Sequence, residues 1–326
     1  MLYSDNLENI VFDRHNSHRA DELIIISGYV GPNPIARIRE LPLKTTVIYG
    51  MYGTDKIRKS LHKSLTQLDE EIENLSILYS NTPVHAKVYL WKYKGEIAHV
   101  LVGSANFSSN GLRTDFREVL AEATVDTYAA LDTYLKNVLR NCIECSAIDL
   151  LADIEKEEPK SFTDPSRGIM CKMTLLDPRN GEVPERSGLN WGQSPKAHVN
   201  PNDAYIPIRK AHIQECSKIF PPQMSEPLHT GGEGKSSRRN DYVEFIWDDG
   251  TTFDGLFEQT QTIDGVNYPK ALSSYGNKSI LGEYIRSRIG VGSGQPVTLG
   301  DLTRYGRTDI DISLEGERIY YLDFSV

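Results

Sequence analysis

VHAKVYLWKYKGEIAHVLVGSANFSSNGLRTDFREVL, Val84 to Leu120, decides how this chain is read. Its β-branched and aromatic residues predict two neighbouring strands, Val84–Trp91 and Ile97–Gly103, with a third over Glu118–Ala123. His85 and Lys87 take alternate positions on the first strand, so their side chains share a face. An imidazole and an ammonium side by side are costly to bury without a partner. The second strand runs into Gly-Ser-Ala-Asn, whose small residues let the backbone turn and hold Asn106 close to a neighbour. Glu118 opens the third strand. This set suits phosphoryl transfer. A neutral imidazole attacks phosphorus and forms a phosphohistidine, while an ammonium and an amide hold the non-bridging oxygens as charge builds. A carboxylate on the far ring nitrogen fixes the tautomer. The chemistry needs no metal. Ser104 either binds phosphate or caps the turn. Ser27 and Tyr29, at the end of an earlier strand, border the same region without an assigned role.

Upstream, helices and strands alternate. Leu7–Arg19 reads as a helix, Leu23–Val30 (LIIISGYV) and Thr45–Tyr52 as buried strands, and Ser76–Tyr79 as a short one. Asp55 suits the N-cap of a helix running to Asn74, with Ile57, Leu61, Leu65, Leu68 and Ile72 on one face. A long helix is expected from Asp126 to Ile154. This order argues an α/β sandwich, a mixed sheet flanked by helices. Glu155–Pro165 (EKEEPKSFTDP) is charged, contains two prolines and suits a linker. Beyond it Gly and Pro recur, Tyr242–Trp247, Thr251–Gln261 and Arg318–Phe324 read as strands, and Ser279–Ile289 is the one clear helix. That half reads as a mainly β pseudobarrel. The expected organisation is therefore residues 1–155 as one domain, 156–170 as linker and 171–326 as a second domain.

A length of 326 residues also suits two domains. With 39% hydrophobic and 25% charged residues, the composition is globular and excludes a disordered chain, a collagen and a coiled coil. No apolar run approaches the ~20 residues that span a bilayer. The first residues, MLYSDNLENI, lack a secretory pattern, so the expected location is the cytoplasm. A net charge of −9 argues against indiscriminate nucleic-acid binding through bulk charge, while leaving room for a local basic groove. Cys142 and Cys145 form a C-x-x-C without a second pair at zinc-finger spacing. They are expected as partly buried helix residues, with a zinc or redox role as the alternative.

Asn106 stands nineteen positions after Lys87, and Glu118 twelve after Asn106. This HAK–GSAN–Glu pattern resembles the phospholipase D superfamily. The better-known form of its motif has an Asp five positions after the Lys, where this chain has Lys92. That departure points away from lipases and resembles the restriction endonucleases built on this fold, which use His, Lys, Asn and Glu. GLNWGQSPKAHVNPNDAYIPI (Gly188–Ile208) and SSYGNKSILGEYIRSRIG (Ser273–Gly290) resemble the NgoFVII/NgoAVII-type enzymes. In these the C-terminal half is a DNA-binding pseudobarrel of the plant B-three transcription-factor kind. The resemblance implies a site-specific endonuclease acting on double-stranded DNA. Superfamily chemistry uses two such motifs around one site, one His as nucleophile and one as general acid. This chain has no second H-x-K, because His15 and His18 lack a Lys at the needed offset and His62-Lys63 are adjacent. A homodimer sharing one site is therefore expected, with strand cleavages in sequence. No Walker-type motif occurs, so the chain itself carries no cofactor and any ATP use belongs to a separate helicase-like subunit. A companion cytosine methyltransferase is expected of a restriction system.

Candidate DNA-reading residues fall in two arms of the second half. Arg186, Asn190, Trp191, Gln193 and Lys196 lie in the first, and Gln259, Gln261, Lys270, Ser274, Asn277 and Lys278 in the second. Arg and Lys suit guanine edges, Asn and Gln suit adenine edges, and any of them can instead hold phosphate or lie in a solvated loop. Trp191 is more often a core anchor than a stacking platform, and Arg238 and Arg239 read as a solvated loop. Two other functions compete: a nonspecific phospholipase D-type nuclease or phosphodiesterase, and a DNA-binding regulator with an inactive nuclease half.

Overall fold

The computed structural model describes residues 1–148, 169–195, 198–223 and 240–326. The chain divides into two units, Met1–Asp164 and Pro165–Val326.

In the first unit, β1 (Leu2–Tyr3), β2 (Glu22–Ser27), β3 (Lys44–Tyr49), β4 (Leu75–Ser80), β5 (Lys87–Tyr93), β6 (Glu96–Gly103), β7 (Leu120–Glu122) and β8 (Cys142–Glu144) form one eight-stranded sheet. The order across it is β1-β7-β6-β5-β2-β3-β4-β8. β2, β3 and β4 run parallel, whereas β5 is antiparallel to β2 and joins β6 in a hairpin. The hairpin turns at Lys94-Gly95, both at positive φ, which matches strand twist. Ile24, Ile26, Ile48, Val88, Leu90 and Val100 cover one face and pack on Leu135 and Val138. Alternation turns Leu23, Ile25, Val47, Tyr89 and Leu101, all buried, to the opposite face. Burial on both faces is why β2 reads as an unbroken apolar run. The principal helices are α1 (Leu7–Ser17), α2 (Lys59–Glu71) and α3 (Tyr128–Leu139).

Two elements depart from expectation. The helix expected to reach Ile154 stops at Leu139, and Cys142–Glu144 instead pairs antiparallel with the open edge of β4. Asn141 secures the change of direction: its side chain caps Asn137 O at 2.9 Å and its carbonyl accepts from Asn81 N–H. An unpaired strand edge outweighs helical propensity here. Cys142 therefore lies in β8 and Cys145 opens a short 3-10 turn, Cys145–Ala147, rather than both standing on the long helix, and burial pushes the Cys145 thiol up to about 12. Asp55 is no N-cap. It ends the short turn Tyr52–Asp55, and α2 starts four residues later at Lys59.

The second unit carries β9 (Met170–Thr174), β10 (Ile206–Pro207), β11 (Asp241–Trp247), β12 (Thr252–Ile263), β13 (Val266–Ser274), β14 (Asp309–Gly316) and β15 (Ile319–Asp323) in the order β10-β13-β12-β11-β15-β14-β9. All pairs are antiparallel except β11 with β15. The sheet curls until its two edges nearly meet: the Arg209 guanidinium, just after β10, donates to Thr174 O and Leu176 O at the end of β9. This is the mainly β, barrel-like half read from the sequence. Its core holds Phe220, Phe245, Trp247, Phe257, Tyr320 and Phe324 with Leu281 and Ile285. The helix Ser279–Ile289 (α5) forms as expected, joined by α4 (Lys210–Glu215) and α6 (Leu299–Tyr305). The linker expected over 156–170 lies outside the described residues up to 168, and Met170 already belongs to β9. Among the described residues no helix is long and apolar enough to cross a membrane.

Candidate active site

Gly28 follows β2, and three expected site residues converge on it. A Cβ built there would stand 2.9 Å from His85 Cδ2, 3.4 Å from Lys87 Nζ and 3.5 Å from Asn106 Oδ1. The convergence is local in origin. Val84 N–H donates to Gly50 O at 2.9 Å, which fixes the chain just before His85 against the end of β3. His85 itself lies outside the regular strand, and Lys87 is the first residue of β5. Lys87 Nζ nevertheless reaches back to within 3.1 Å of both ring nitrogens of His85 and donates to His85 O at 2.9 Å. Lys87 is only 6% exposed, whereas His85 is open to solvent. A buried ammonium beside an open imidazole is a place where an anion lowers the energy.

Asn106 is buried and held from its oxygen side. Tyr29 N–H donates to Oδ1 at 3.2 Å, which directs the amide nitrogen to the other side. Ser27 braces the same loop: its hydroxyl donates to Tyr29 O at 2.5 Å and accepts from Phe107 N–H at 2.9 Å. Gly111 makes room for the loop, since a Cβ there would meet Asn106 O at 2.3 Å. Ser104 is exposed, and its hydroxyl accepts from Val119 N–H at 3.1 Å, tying the GSAN turn to the segment that carries Glu118. Glu118 lies two residues before β7 rather than in it. Burial and then the Glu118 charge push the Tyr89 hydroxyl up, and that hydroxyl donates to Ala105 O at 2.9 Å. The charge of Glu118 is thus felt at Tyr89, while the contacts around Gly28 involve His85, Lys87 and Asn106. Lys92, where the better-known motif has Asp, faces Asp132 of α3 at 3.9 Å.

The candidate DNA-reading residues divide sharply. Asn190 is buried with both ends of its amide taken: Nδ2 donates to Pro184 O and Val297 O, and Oδ1 accepts from Val297 N–H. Gln193 donates to Gly294 O at 2.9 Å, and Gln261 to Ile208 O at 2.7 Å. Ser274 is buried and caps the start of α5 by accepting from Leu281 N–H, while Asn277 accepts from Ser279 N–H. Lys278 is paired with the carboxylate of Glu258 and donates to Ser273 Oγ. Trp191 packs its half-buried ring on Tyr205. Arg186, Gln259 and Lys270 present exposed side chains. Lys196, Arg238 and Arg239 lie outside the described residues. Sequence reasoning missed Gly28, which had a signal in its place between Ser27 and Tyr29.

Residues 5–151 match the family model of the NgoFVII restriction endonuclease N-terminal PLD domain. Residues 154–315 match that of the NgoFVII C-terminal B3-like DNA-binding domain. Fold and matches together define a DNA-cleaving hydrolase, with a phospholipase D-type nuclease domain followed by a DNA-binding domain. The chain belongs to the NgoFVII restriction endonuclease family. Among solved structures it is similar to NucT from Helicobacter pylori, at 22% identity over 42% of this chain and 89% of that one, with a TM-score of 0.32. It is also similar to Nuc, a phospholipase D family member from Salmonella typhimurium, at 8% identity over 42% and 87% of the two chains, with a TM-score of 0.31. A search of curated proteins gives no match.

Proposed function

We propose that this protein is a site-specific endonuclease that cuts duplex DNA by a metal-independent, covalent route, as a homodimer sharing one site. The observation that carries the reading is the meeting of His85, Lys87 and Asn106 around Gly28. One His85 nitrogen attacks phosphorus, a P–N bond forms, and the P–O bond to the leaving sugar breaks. The other copy's His85 gives that sugar oxygen its proton. Now neutral, it takes a proton from water, whose oxygen attacks phosphorus and breaks the P–N bond. Lys87 moves from the ring nitrogens to the non-bridging oxygens, and Asn106 supplies a second donor. These donors take the place of a cation, so the chemistry calls for no cofactor in this chain. Glu118 orients and stabilises the imidazolium. One shared site cuts the two strands in turn. Ser104 serves the GSAN turn, where its hydroxyl accepts from Val119 N–H.

In the second unit, Arg186, Gln259 and Lys270 are the side chains best placed to meet bases or phosphates. A helicase-like ATPase subunit and a companion DNA methyltransferase complete the system, which works in the cytoplasm where incoming and host DNA are met. The deciding experiment incubates the full chain with plasmid and genomic DNA in excess EDTA and maps the ends. Fixed ends in wild type, no cleavage by His85→Ala and a phosphohistidine trapped on quenching are expected. Cleavage only after added magnesium refutes the mechanism. Random ends favour a nonspecific nuclease, and no cleavage with tight site binding favours a regulator.

A further inference from the structure

We infer that Tyr29 and Asp55 are a positioning pair that aims the His85 ring and the Asn106 amide together; this rests on the catalytic reading just given. Tyr29 touches both groups. Its ring meets the His85 ring edge-on, with centroids 6.0 Å apart and planes at 78°. Its backbone N–H holds Asn106 Oδ1 at 3.2 Å. The far end of the same side chain is tethered: the phenol donates to Asp55 Oδ2 at 2.6 Å, a length typical of a hydrogen bond to a carboxylate. Tyr49 packs on the Tyr29 ring from β3, with centroids 6.2 Å apart.

The pair answers a need that the fold creates. His85 precedes β5, so no ladder hydrogen bond of that strand fixes its backbone, and its side chain is exposed. Gly28 leaves an open wall on one side of the ring. An edge contact between rings supplies a preferred tilt, provided that the neighbouring ring is itself fixed. Asp55 fixes it. The carboxylate comes from the turn Tyr52–Asp55, which follows β3, while Tyr29 follows β2, so the tether joins the ends of two adjacent parallel strands. Neither residue need touch the substrate; both act through His85 and Asn106.

The test uses the full chain and a plasmid carrying the mapped site, with Tyr29→Phe, Asp55→Ala, the double variant and His85→Ala in parallel. Single-turnover cleavage, DNA Kd and Tm are measured for each. Tyr29→Phe and Asp55→Ala should each slow cleavage roughly 10-fold at unchanged Kd. The double variant should be no slower than the worse single one, because each removes the same tether. Asp55→Asn and Asp55→Glu, which keep an acceptor for the phenol, should recover part of the rate. Wild-type rates in either single variant, multiplying losses in the double, or a parallel rise in Kd overturn the inference. If Tyr29→Phe lowers Tm too far to assay, the half-buried Asp55→Ala decides alone. Cleavage by His85→Ala would overturn the catalytic reading itself. A dead His85→Ala beside fully active Tyr29→Phe and Asp55→Ala removes only the positioning pair.

Discussion

Gly28→Ala is the sharpest probe of the site, because it adds a single methyl group where three functional side chains meet. The added Cβ would lie 2.9 Å from His85 Cδ2. Ordinary contacts begin at 3.4 Å, so the imidazole must retreat by about 0.5 Å. Lys87 Nζ and Asn106 Oδ1, at 3.4 and 3.5 Å, need not move. The backbone should accept the change, since Gly28 is not among the glycines at positive φ. A displacement of 1 Å costs on the order of 100-fold in rate, so half of it predicts a loss of roughly 10-fold. At 1.36 kcal/mol per decade, that is about 1.4 kcal/mol of transition-state energy. The loss should appear in single-turnover cleavage, with DNA Kd and Tm within error of wild type, because the DNA-binding unit is untouched. Gly28→Ser should be no better than Gly28→Ala. A Gly28→Ala variant that cuts at the wild-type rate while remaining folded would refute the claim that His85 works from the place described.

Three further outcomes follow from the same geometry. Lys92→Ala should leave cleavage within twofold of wild type and stability within about 1 kcal/mol, since the Lys92 ammonium makes a long contact to partly exposed Asp132; a large loss of activity would return this position to the chemistry. Asn190→Ala should destabilise the second unit by about 2–4 kcal/mol, because it strands the buried Val297 N–H and carbonyl, whereas Arg186→Ala and Lys270→Ala should weaken DNA binding and reduce its salt slope by about 1 each at unchanged Tm. Finally, burial, with Arg14 and Arg209 adding their charge, holds His99 and His212 down at about 4. The unfolded chain takes up these protons near pH 6.5 and the folded one does not, so Tm should fall as pH drops from 6.5 to 4 and then level for this cause. Glu122, held at about 2 mainly by the Tyr3 hydroxyl, gives stability that is lost only below pH 4.5. A Tm flat from pH 7 to 4.5 would refute the histidine assignment.

The fold was legible wherever local pattern and burial agree. β2, β3, the β5–β6 hairpin and α5 stand within a few residues of their expected positions because each buries the face its periodicity marks. The site was legible in part because Lys87 and the GSAN turn sit next to regular strands. The end of α3 was not, because the competing partner, the edge of β4, lies sixty residues away in sequence. For the same reason nothing in the spacing links Asp55 to Tyr29, and side-chain type alone could not separate reading residues from bracing ones. Asn190 looks like an adenine-reading residue until its amide is found spent on Pro184 and Val297.

That spending has a consequence for recognition. Arg286 is 1% exposed and gives its guanidinium to Gln295 O, Gly282 O and Leu189 O. Asn202 joins Glu283, Ser293 and Gly294 in the same way. Together with Asn190, these buried groups staple the first arm to α5 and to the loop that follows it. A loop held at this many points cannot rearrange cheaply, because each broken bond leaves a buried polar group unpaired. On the proposed reading, contact with DNA falls to the few side chains that project from this frame, so changing Arg186, Gln259 or Lys270 should weaken binding without altering the frame. Changing Asn190, Asn202 or Arg286 should lose the frame and every sequence with it. The polar residues richest in apparent reading chemistry are thus the ones least available to read.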